Sequence, residues 1–243
     1  MCKFMNVKQL FCWMMYGLLV FFTAGCSGEN SEDLPDNVSV YQKYLVAFSD
    51  SQPPLAYAHF SREKDTPLKD IRLTGGSSVK ANGKDMEFNT LDRNAIFGYS
   101  YFVSLGKDET VSFAFQRTQQ KETRMWVNYA YKEWINPIHI PSTRTTVTNQ
   151  EMIGWTGEKI AANEELEATL DNPNHQEEYT VYYGTLNKSR DGVSFDKVPK
   201  GKYMLTLKRS IKLETKDNDT PAKGEIVLVF YDKKEVIVEE QTE

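Results

Sequence analysis

Cysteine is almost missing from this sequence. The three cysteines, Cys2, Cys12 and Cys26, all lie within the first 26 residues. The rest of the chain therefore has no residue that could form a disulfide, act as a thiolate nucleophile or bind zinc through sulfur. This excludes disulfide-stapled scaffolds and cysteine-dependent enzymes for that part of the protein.

Histidine is equally scarce, with His59, His139 and His175 as the three examples. No two of them have the i, i+2 or i, i+4 spacing that gives a ready pair of metal ligands. Asp217 and Asp219 could offer calcium ligands from a turn, but the further acidic ligand of an EF-hand loop is missing. A plain polar turn is the favoured interpretation, and we expect neither a metal ion nor another cofactor.

The motifs of common hydrolases are also missing. There is no Gly-x-Ser-x-Gly nucleophile elbow, and Ser61 and Lys64 match the Ser-x-x-Lys spacing without its companion motifs. Adjacent acidic residues such as Glu177 and Glu178 point to opposite faces if they lie in a strand, so they cannot act together on a glycoside. The sequence therefore predicts no catalytic residue and a protein that is not an enzyme.

Clusters of basic residues are missing as well. The sequence has 29 basic and 34 acidic side chains, which gives a formal net charge of −5. Proteins that bind nucleic acid concentrate Lys and Arg in patches, so we expect no nucleic-acid partner. A mildly acidic chain is not attracted to anionic lipid headgroups either, and membrane attachment would need a covalent lipid.

The first 25 residues have the layout of a secretory signal peptide. Lys3 and Lys8 provide a positive start, and no acidic residue comes before Glu29. Residues 10–24 are almost wholly apolar but shorter than the about 20 residues that a membrane-spanning helix needs. An uncleaved anchor or a buried helix is the alternative interpretation, but the stretch lacks an amphipathic period.

The end of this segment resembles the lipobox of bacterial lipoproteins. The small residues Ala24 and Gly25 come directly before Cys26, while Thr23 stands where such motifs usually have leucine. The resemblance implies cleavage before Cys26, lipidation of that cysteine and attachment to a membrane of the cell envelope. We expect the outer membrane, with the protein on either the surface or the periplasmic face.

The residues after Cys26 are polar and acidic. Residues 27–37 include Glu29, Glu32, Asp33 and Asp36, and such a segment buries little apolar surface. We therefore predict that residues 26–40 comprise the lipidated cysteine and a flexible acidic tether. The acidic stretch also resembles the surface-export signal of lipoproteins in the Bacteroides group, and a generic solvated linker is an equal alternative.

Nearly everything after residue 41 has the pattern of strands and turns. Aromatic and β-branched residues alternate with polar ones between turn-forming residues, and no helical stripe of three turns is seen. The dipeptide Asn82-Gly83 favours a type I′ hairpin in which Val79 faces Met86. The predicted strands are residues 44–48, 56–60, 99–105, 111–115, 125–135, 152–155, 166–170, 179–186, 203–213, 224–231 and 235–239.

Residues 138–148 differ in character from these strands. Pro137 and Pro141 border a polar stretch with little apolar surface to bury. We therefore predict a boundary near residues 141–150, with an N-terminal β-sandwich of residues 41–141 and a C-terminal β-sandwich of residues 142–243. Two domains of about 100 residues each fit the length of the chain.

Short turn motifs indicate the type of sandwich. Pro199, Gly201 and Tyr203, followed by Leu205, resemble the tyrosine corner of Greek-key sandwiches. With residues 73–79, 82–83, 154–158 and 224–231, this corner resembles uncharacterised two-domain immunoglobulin-like lipoproteins of Bacteroides-type bacteria. The resemblance covers about residues 41–238. It implies an all-β fold with two immunoglobulin-like antiparallel β-sandwich domains after the signal peptide and tether, and it implies no catalytic residue.

Large aromatic residues are concentrated in residues 125–135. Trp126 and Trp134 share one strand parity, and Tyr129 and Tyr131 share the other. One face of such a strand can be buried while the other offers ring surfaces to a sugar. The favoured alternative is that both faces are covered, one by the core and one by the partner domain.

Three functions are compatible with these features. The leading hypothesis is a non-enzymatic envelope lipoprotein that binds or organises an envelope protein through β-sandwich surfaces, because edge strands accept partner strands. The second is an accessory polysaccharide-binding lipoprotein that uses Trp126 or Trp134. The third is a hydrolase with a site between the domains, for which His139, Glu133 and Asp171 are the candidate residues.

Overall fold

The computed structural model describes residues 29–62, 64, 70–88, 101–106, 109–119, 122–172 and 180–239. The predicted signal peptide, Cys26 and His175 lie outside these residues. Within the described ranges the chain is all-β, with twenty strands, two short 3-10 helices and no α-helix. Neither of these two helices is long or apolar enough to span a membrane.

The 3-10 helices are Ser31–Asp33 and Lys132–Trp134. The strands of the first half are β1 (Glu29–Asn30), β2 (Tyr41–Phe48), β3 (Leu55–Ser61), β4 (Ile71–Arg72), β5 (Ser78–Ala81), β6 (Lys84–Asp85), β7 (Glu87–Phe88), β8 (Tyr101–Ser104), β9 (Thr110–Gln119), β10 (Glu122–Tyr131) and β11 (Ile138–His139). Those of the second half are β12 (Thr146–Thr148), β13 (Ile153–Gly154), β14 (Thr156–Gly157), β15 (Glu164–Asp171), β16 (Val181–Tyr183), β17 (Thr185–Leu186), β18 (Gly192–Ser194), β19 (Gly201–Glu214) and β20 (Gly224–Glu239).

A nine-stranded sheet runs through the molecule. Its order is β16-β15-β19-β20-β2-β3-β8-β7, and β12 also pairs with β20. Strand β20 is antiparallel to β19 and parallel to β2, so it has neighbours on both sides. Its residues 224–230 are all buried, as expected for a strand that is covered on both faces. The strands predicted at residues 224–231 and 235–239 are both parts of this one continuous strand.

A four-stranded sheet of order β10-β9-β5-β6 packs against one face of the large sheet. The ring of Phe113 stacks on Tyr44 with centroids 4.4 Å apart, and Phe115 packs on Phe60 at 4.5 Å. Val111, Phe113 and Phe115 are fully buried, so the period-two pattern predicted for this strand is confirmed.

The Asn82-Gly83 hairpin is also confirmed. Both residues have positive φ angles, 48° and 76°, as a type I′ turn requires, and they join β5 to β6. Met86 donates its backbone N–H to the carbonyl of Val79 at 3.1 Å, which is the predicted register. Beyond Met86 the chain changes sheets, because β7 pairs with β8 of the nine-stranded sheet.

Two smaller sheets have the orders β13-β18-β17 and β11-β14, and the second joins a strand of the first half to one of the second. Their buried residues, such as Ile153 and Val193, join one hydrophobic cluster that also contains Tyr44, Phe113 and Leu205. One cluster and the pairing of β2 with β20 therefore unite residues on both sides of the proposed boundary. The chain is all-β with several antiparallel sheets, but this arrangement does not confirm two separate immunoglobulin-like domains.

The predicted tyrosine corner has a different hydrogen-bond partner. Tyr203 is buried at the start of β19, which raises its pKa, and Leu205 faces the core as expected. In a tyrosine corner the hydroxyl bonds to backbone a few residues upstream. Here the hydroxyl bonds to the side chain of Asn172, which follows β15. The motif therefore contributes to the core without establishing a Greek-key topology.

The predicted flexible tether requires a correction from Glu29 onward. Strand β1 pairs in parallel with β4, and Ser31, Leu34 and Val40 are buried. The Ser31 hydroxyl donates to the carbonyl of Thr74 at 3.1 Å and accepts from its N–H at 2.8 Å. A few apolar residues and one hydroxyl thus anchor a segment whose overall composition is acidic.

Candidate functional site

Strand β10 forms one edge of the four-stranded sheet, and all ten of its residues are in register with β9. Its side chains alternate between two faces. Trp126, Asn128 and Ala130 are buried toward the nine-stranded sheet, opposite Phe115, Phe113 and Val111 of β9. Met125 and Tyr129 are 59% and 50% exposed on the outer face. The strand therefore places aromatic side chains in two different environments.

Trp126 belongs to the core. It is 8% exposed, and its ring stacks on Phe115 with centroids 5.2 Å apart and planes at 22°. The sequence-based hypothesis gave Trp126 a ligand-binding role as an exposed ring. That expectation is corrected, because a ring that stacks in the core has no free face for a sugar on the outer surface.

Trp134 does not share a face with Trp126, so the predicted parity is wrong. Strand β10 ends at Tyr131, and the 3-10 helix Lys132–Trp134 follows, in which Glu133 is exposed. A helix with about three residues per turn breaks the period-two pattern of a strand. Trp134 therefore turns to the outer face, where its ring packs on Tyr131 with centroids 4.6 Å apart.

Tyr129, Tyr131 and Trp134 form a continuous group, which we call the aromatic row. The rings of Tyr129 and Tyr131 are nearly parallel, with planes at 25° and centroids 6.4 Å apart. Trp134 follows at an interplanar angle of 59° and is 38% exposed. Aromatic rings held in this way offer adjacent flat apolar surfaces edged by polar phenol and indole groups.

Small polar side chains lie beside the aromatic row. Tyr129 is paired across the sheet with Ser112, and Tyr131 with Thr110. Asn82 positions Ser112, since its Oδ1 accepts from the Ser112 N–H at 2.7 Å and from the Ser112 hydroxyl at 3.1 Å. Rings for apolar contact therefore lie next to groups that can form hydrogen bonds, on a strand pair in which every residue of β10 is paired with β9.

The outer edge of β10 is capped near its middle. The Val127 N–H donates to Asp217 Oδ2 at 2.8 Å, and the Asn128 amide donates to the carbonyl of Asp217 at 2.8 Å. Asn128 Oδ1 accepts from the N–H groups of Lys216 and Asp217 in return. A partner strand would have to displace this turn to pair along the whole edge.

These contacts also engage the carboxylates that were considered for calcium. Asp217 binds a backbone N–H, and Asp219 Oδ2 accepts from the Val40 N–H at 2.9 Å and from Arg117 Nη1 at 2.7 Å. Among the residues that the structure describes, no three His, Cys, Asp or Glu side chains are grouped to hold a metal ion. The polar-turn interpretation accounts for both aspartates.

The residues considered for a hydrolase are not all brought together. His139 packs edge-on against Phe230 with ring centroids 5.4 Å apart, and Phe230 pairs with Arg209. Asp171 pairs with Met204 of β19. Met204 and Arg209 are five residues apart on this strand, which corresponds to about 17 Å at about 3.4 Å per residue. Burial raises the pKa of Asp171, but His139 is too distant to act with it.

Comparison with protein-family models finds no match to this sequence. Comparison with curated proteins finds no significant relative. Function is therefore inferred from the chemistry of the aromatic row and of the residues around it.

Proposed function

We propose that this chain is a non-enzymatic lipoprotein of the cell envelope that binds polysaccharide chains along the aromatic row. The observation that carries the proposal is the continuous ring contact from Tyr129 through Tyr131 to the exposed Trp134 on an outer sheet face. Two nearly parallel rings followed by an exposed indole form an elongated apolar platform. Such a platform suits the apolar faces of successive sugar rings better than it suits a compact small molecule.

The neighbouring groups favour a neutral polysaccharide. Ser112 and Thr110 provide hydroxyl groups beside the rings, and Lys80 on the same outer face is paired with Asp85 at 3.2 Å. The chain as a whole has a formal net charge of −5, which repels polyanionic chains at low salt. Sugar hydroxyls can both donate to and accept from these polar side chains.

Two single variants, Tyr129→Ala and Trp134→Ala, should each weaken polysaccharide binding about tenfold, because each loses one ring contact of about 1.4 kcal/mol. Affinity gel electrophoresis of the full chain against starch, xylan, laminarin and mannan measures this effect. The matched control is Tyr183→Ala, since Tyr183 is 69% exposed on β16. Strand β16 is four strands away from β2 in the nine-stranded sheet, whereas the sheet that contains β10 packs on β2 and β3. Retention of binding in both variants, or equal loss in the control, would exclude the aromatic row as the binding site.

A protein partner at the envelope is the second proposal. Strand β16 is an edge of the nine-stranded sheet as described, and it pairs with β15 over three residues. Its last residue, Tyr183, is 69% exposed. An edge strand beside an exposed aromatic side chain suits strand addition by another protein. A pull-down from envelope extract that depends on Tyr183 and not on Trp134 would favour this proposal over polysaccharide binding.

The immunoglobulin-like character of the fold remains part of the proposal. The face-to-face packing of the four-stranded sheet on β2 and β3 supports a β-sandwich in the first half. The division at residue 141 into two such domains is tested by expressing residues 29–141 and 142–243 separately.

The membrane anchor belongs to the same proposal. If Cys26 carries the lipid, two residues separate it from Glu29, which pairs with Ile71 in β1 and β4. Three peptide units extend at most about 11 Å. The folded part would then be held close to the membrane surface, without a long tether.

Replacement of Cys26 by serine should abolish lipid attachment and release the chain from the membrane fraction, because no other cysteine follows residue 26. Mass spectrometry of the N-terminal peptide measures the lipid, and fractionation measures the release. Cys12→Ser is the matched control, since Cys12 lies inside the predicted signal peptide and its replacement should leave both unchanged. A serine variant that keeps its lipid mass would contradict the proposed anchor.

A further inference from the structure

A cleft of about 440 Å³ lies where β19 ends and β20 begins. Basic side chains outnumber acidic ones around it: the charged residues that line the cleft are Arg62, Lys64, Lys212, Lys223, Glu214 and Glu225. The whole chain has the opposite balance, with 29 basic and 34 acidic side chains. The cleft is therefore a local excess of positive charge on an acidic protein.

The positive charges of the cleft are accessible from solvent. The side chains of Lys64, Lys212 and Lys223 are 60%, 58% and 79% exposed. Arg62 is less accessible, with 34% of its side chain exposed. Lysine keeps its ammonium group in water even where its stem packs on the protein. An anion at the cleft can therefore reach the charged end of each lysine.

The lysines of the cleft take part in ion pairs that an incoming anion can replace. Glu225 is buried, and it pairs with Lys43 at 3.1 Å and with Lys64 at 3.6 Å, so its charge is balanced from two sides. Glu214 lies 4.0 Å from Lys223, and both side chains are exposed. Exposed ion pairs contribute little free energy, so another anion can compete for their lysines.

The excess of positive charge remains when the partners outside the cleft are included. Lys212 pairs with Glu165 at 3.0 Å, and Arg62 Nε donates to Glu29 Oε2 at 2.5 Å. Together with Lys43, the cleft and its ion-pair partners comprise five basic and four acidic residues. The surface around the cleft thus carries charges of both signs with the positive sign in excess.

Arg62 connects the cleft with the proposed membrane anchor. Its partner Glu29 is three residues from Cys26, and three peptide units extend at most about 11 Å. The Debye length, over which charges act in solution, is about 10 Å at about 0.1 M salt. If Cys26 carries the lipid, the side of the cleft at Glu29 is held at a distance over which headgroup charges act.

We infer that this cleft faces the bilayer and that its lysines contact the phosphate groups of the phospholipid headgroups around the anchor. Phosphate oxygens accept strong hydrogen bonds from ammonium groups, and an anionic leaflet attracts basic residues near its surface. The lipid holds the chain at the membrane, and the cleft fixes which side of the fold faces it. The inference rests on the lipid anchor of the proposed function and does not depend on polysaccharide binding.

Fluorescence quenching of the mature lipoprotein in vesicles of phosphatidylethanolamine and phosphatidylglycerol tests this orientation. Cys26 is the last cysteine of the chain, and its sulfur carries the lipid, so one introduced cysteine alone takes a thiol-reactive fluorophore. Lys212→Cys places the fluorophore at the cleft. Lys202→Cys is the matched control, because it is also an exposed lysine of β19. The two positions are ten residues apart on this strand, which corresponds to about 34 Å at about 3.4 Å per residue.

A quencher attached to the lipid headgroups should quench the fluorophore at position 212 about threefold more strongly than at position 202. Mass spectrometry of the N-terminal peptide shows whether the lipid is present in the same sample. Equal quenching at the two positions of a lipidated chain, or stronger quenching at position 202, would overturn the inference and leave the anchor in place. Absence of the lipid would overturn the anchor and the inference together.

A charge variant tests the role of the lysines. Lys223→Glu, added to the Lys212→Cys chain, should reduce quenching at position 212 about twofold, because it brings a carboxylate close to the phosphates. Lys202→Glu in the same chain is the control and should leave the quenching unchanged, since Lys202 is also exposed and pairs with a glutamate, Glu235. Equal effects of the two variants, or no effect of Lys223→Glu, would refute the contact between the cleft and the headgroup phosphates.

Discussion

Replacement of Glu164 by glutamine is expected to lower the free energy of unfolding by about 3–5 kcal/mol, because it leaves a buried arginine without its counter-charge. Glu164 accepts from Arg209 Nε at 3.0 Å through Oε1 and from Arg209 Nη2 through Oε2. Arg209 is fully buried, in the same inward-facing series as Leu205 and Leu207. The two remaining donor contacts of Arg209 go to the carbonyls of Glu158 and Lys159 at 3.0 and 3.1 Å.

The neighbouring residue provides a matched control for this variant. Glu165 pairs with Lys212 at 3.0 Å, but these side chains are 68% and 58% exposed. Glu165→Gln should change stability by less than about 1 kcal/mol, since exposed ion pairs contribute little. Urea denaturation followed by circular dichroism measures both variants. Equal effects at Glu164 and Glu165 would contradict the structural role assigned to the buried pair.

A double variant separates the loss of a charge partner from the loss of packing. Glu164→Gln alone leaves the Arg209 guanidinium buried and uncompensated, whereas Glu164→Gln with Arg209→Met removes both charges. The double variant should therefore be more stable than the single variant. If the double variant loses as much free energy of unfolding as Glu164→Gln and Arg209→Met lose together when measured singly, the coupling between the two residues is refuted.

Local features of this fold could be predicted from the sequence because their causes are local. The alternation of Val111, Phe113 and Phe115 follows from the pleat of a strand, and the Asn82-Gly83 turn follows from positive φ angles. The same alternation continues to Arg117, which is buried. A charged residue in an inward-facing series therefore indicated a buried polar contact, although the sequence does not say that Asp219 is its partner.

Features that depend on distant or irregular partners could not be predicted in this way. The pairing of β2 with β20 joins residues about 180 positions apart along the chain, and either strand could have paired elsewhere. Trp134 changed faces because a three-residue helix follows Tyr131, a break that no glycine or proline marks. Of the aromatic row, the parity of Tyr129 and Tyr131 was predictable, but the contact of Trp134 with Tyr131 was not.

The separated halves, residues 29–141 and 142–243, are expected not to fold on their own. Strand β2 pairs in parallel with β20, with Tyr44 opposite Ile226 and Phe48 opposite Phe230. Removal of β2 would leave residues 224–230 of β20 without backbone partners on one side and uncover Val229, which is fully buried beside Leu45 and Ala47. A parallel partner cannot be replaced by a local hairpin, because it requires a crossover connection.

The free energy gained by burying side chains where β2 meets β20 is comparable with the free energy of unfolding of a whole domain. Exposure of a fully buried aliphatic or aromatic side chain costs about 1.5–3 kcal/mol. Leu228, Val229 and Phe230 are all buried at this junction, and a typical native state is stable by about 5–15 kcal/mol. The loss of a few such contacts, with the unpaired edge of β20, is enough to unfold the second half.

Expression of each half separately, followed by heteronuclear NMR and thermal melting, tests this expectation. Neither half should give a dispersed spectrum or a cooperative transition, whereas the two halves mixed during refolding should recover both. A full chain with a protease site inserted at the exposed Ser142 is the control. After cleavage its halves should stay associated and melt in one transition, because β2 and β20 remain paired. Independent cooperative folding of both halves would instead establish two autonomous domains, and the shared sheet would then be an interface between them.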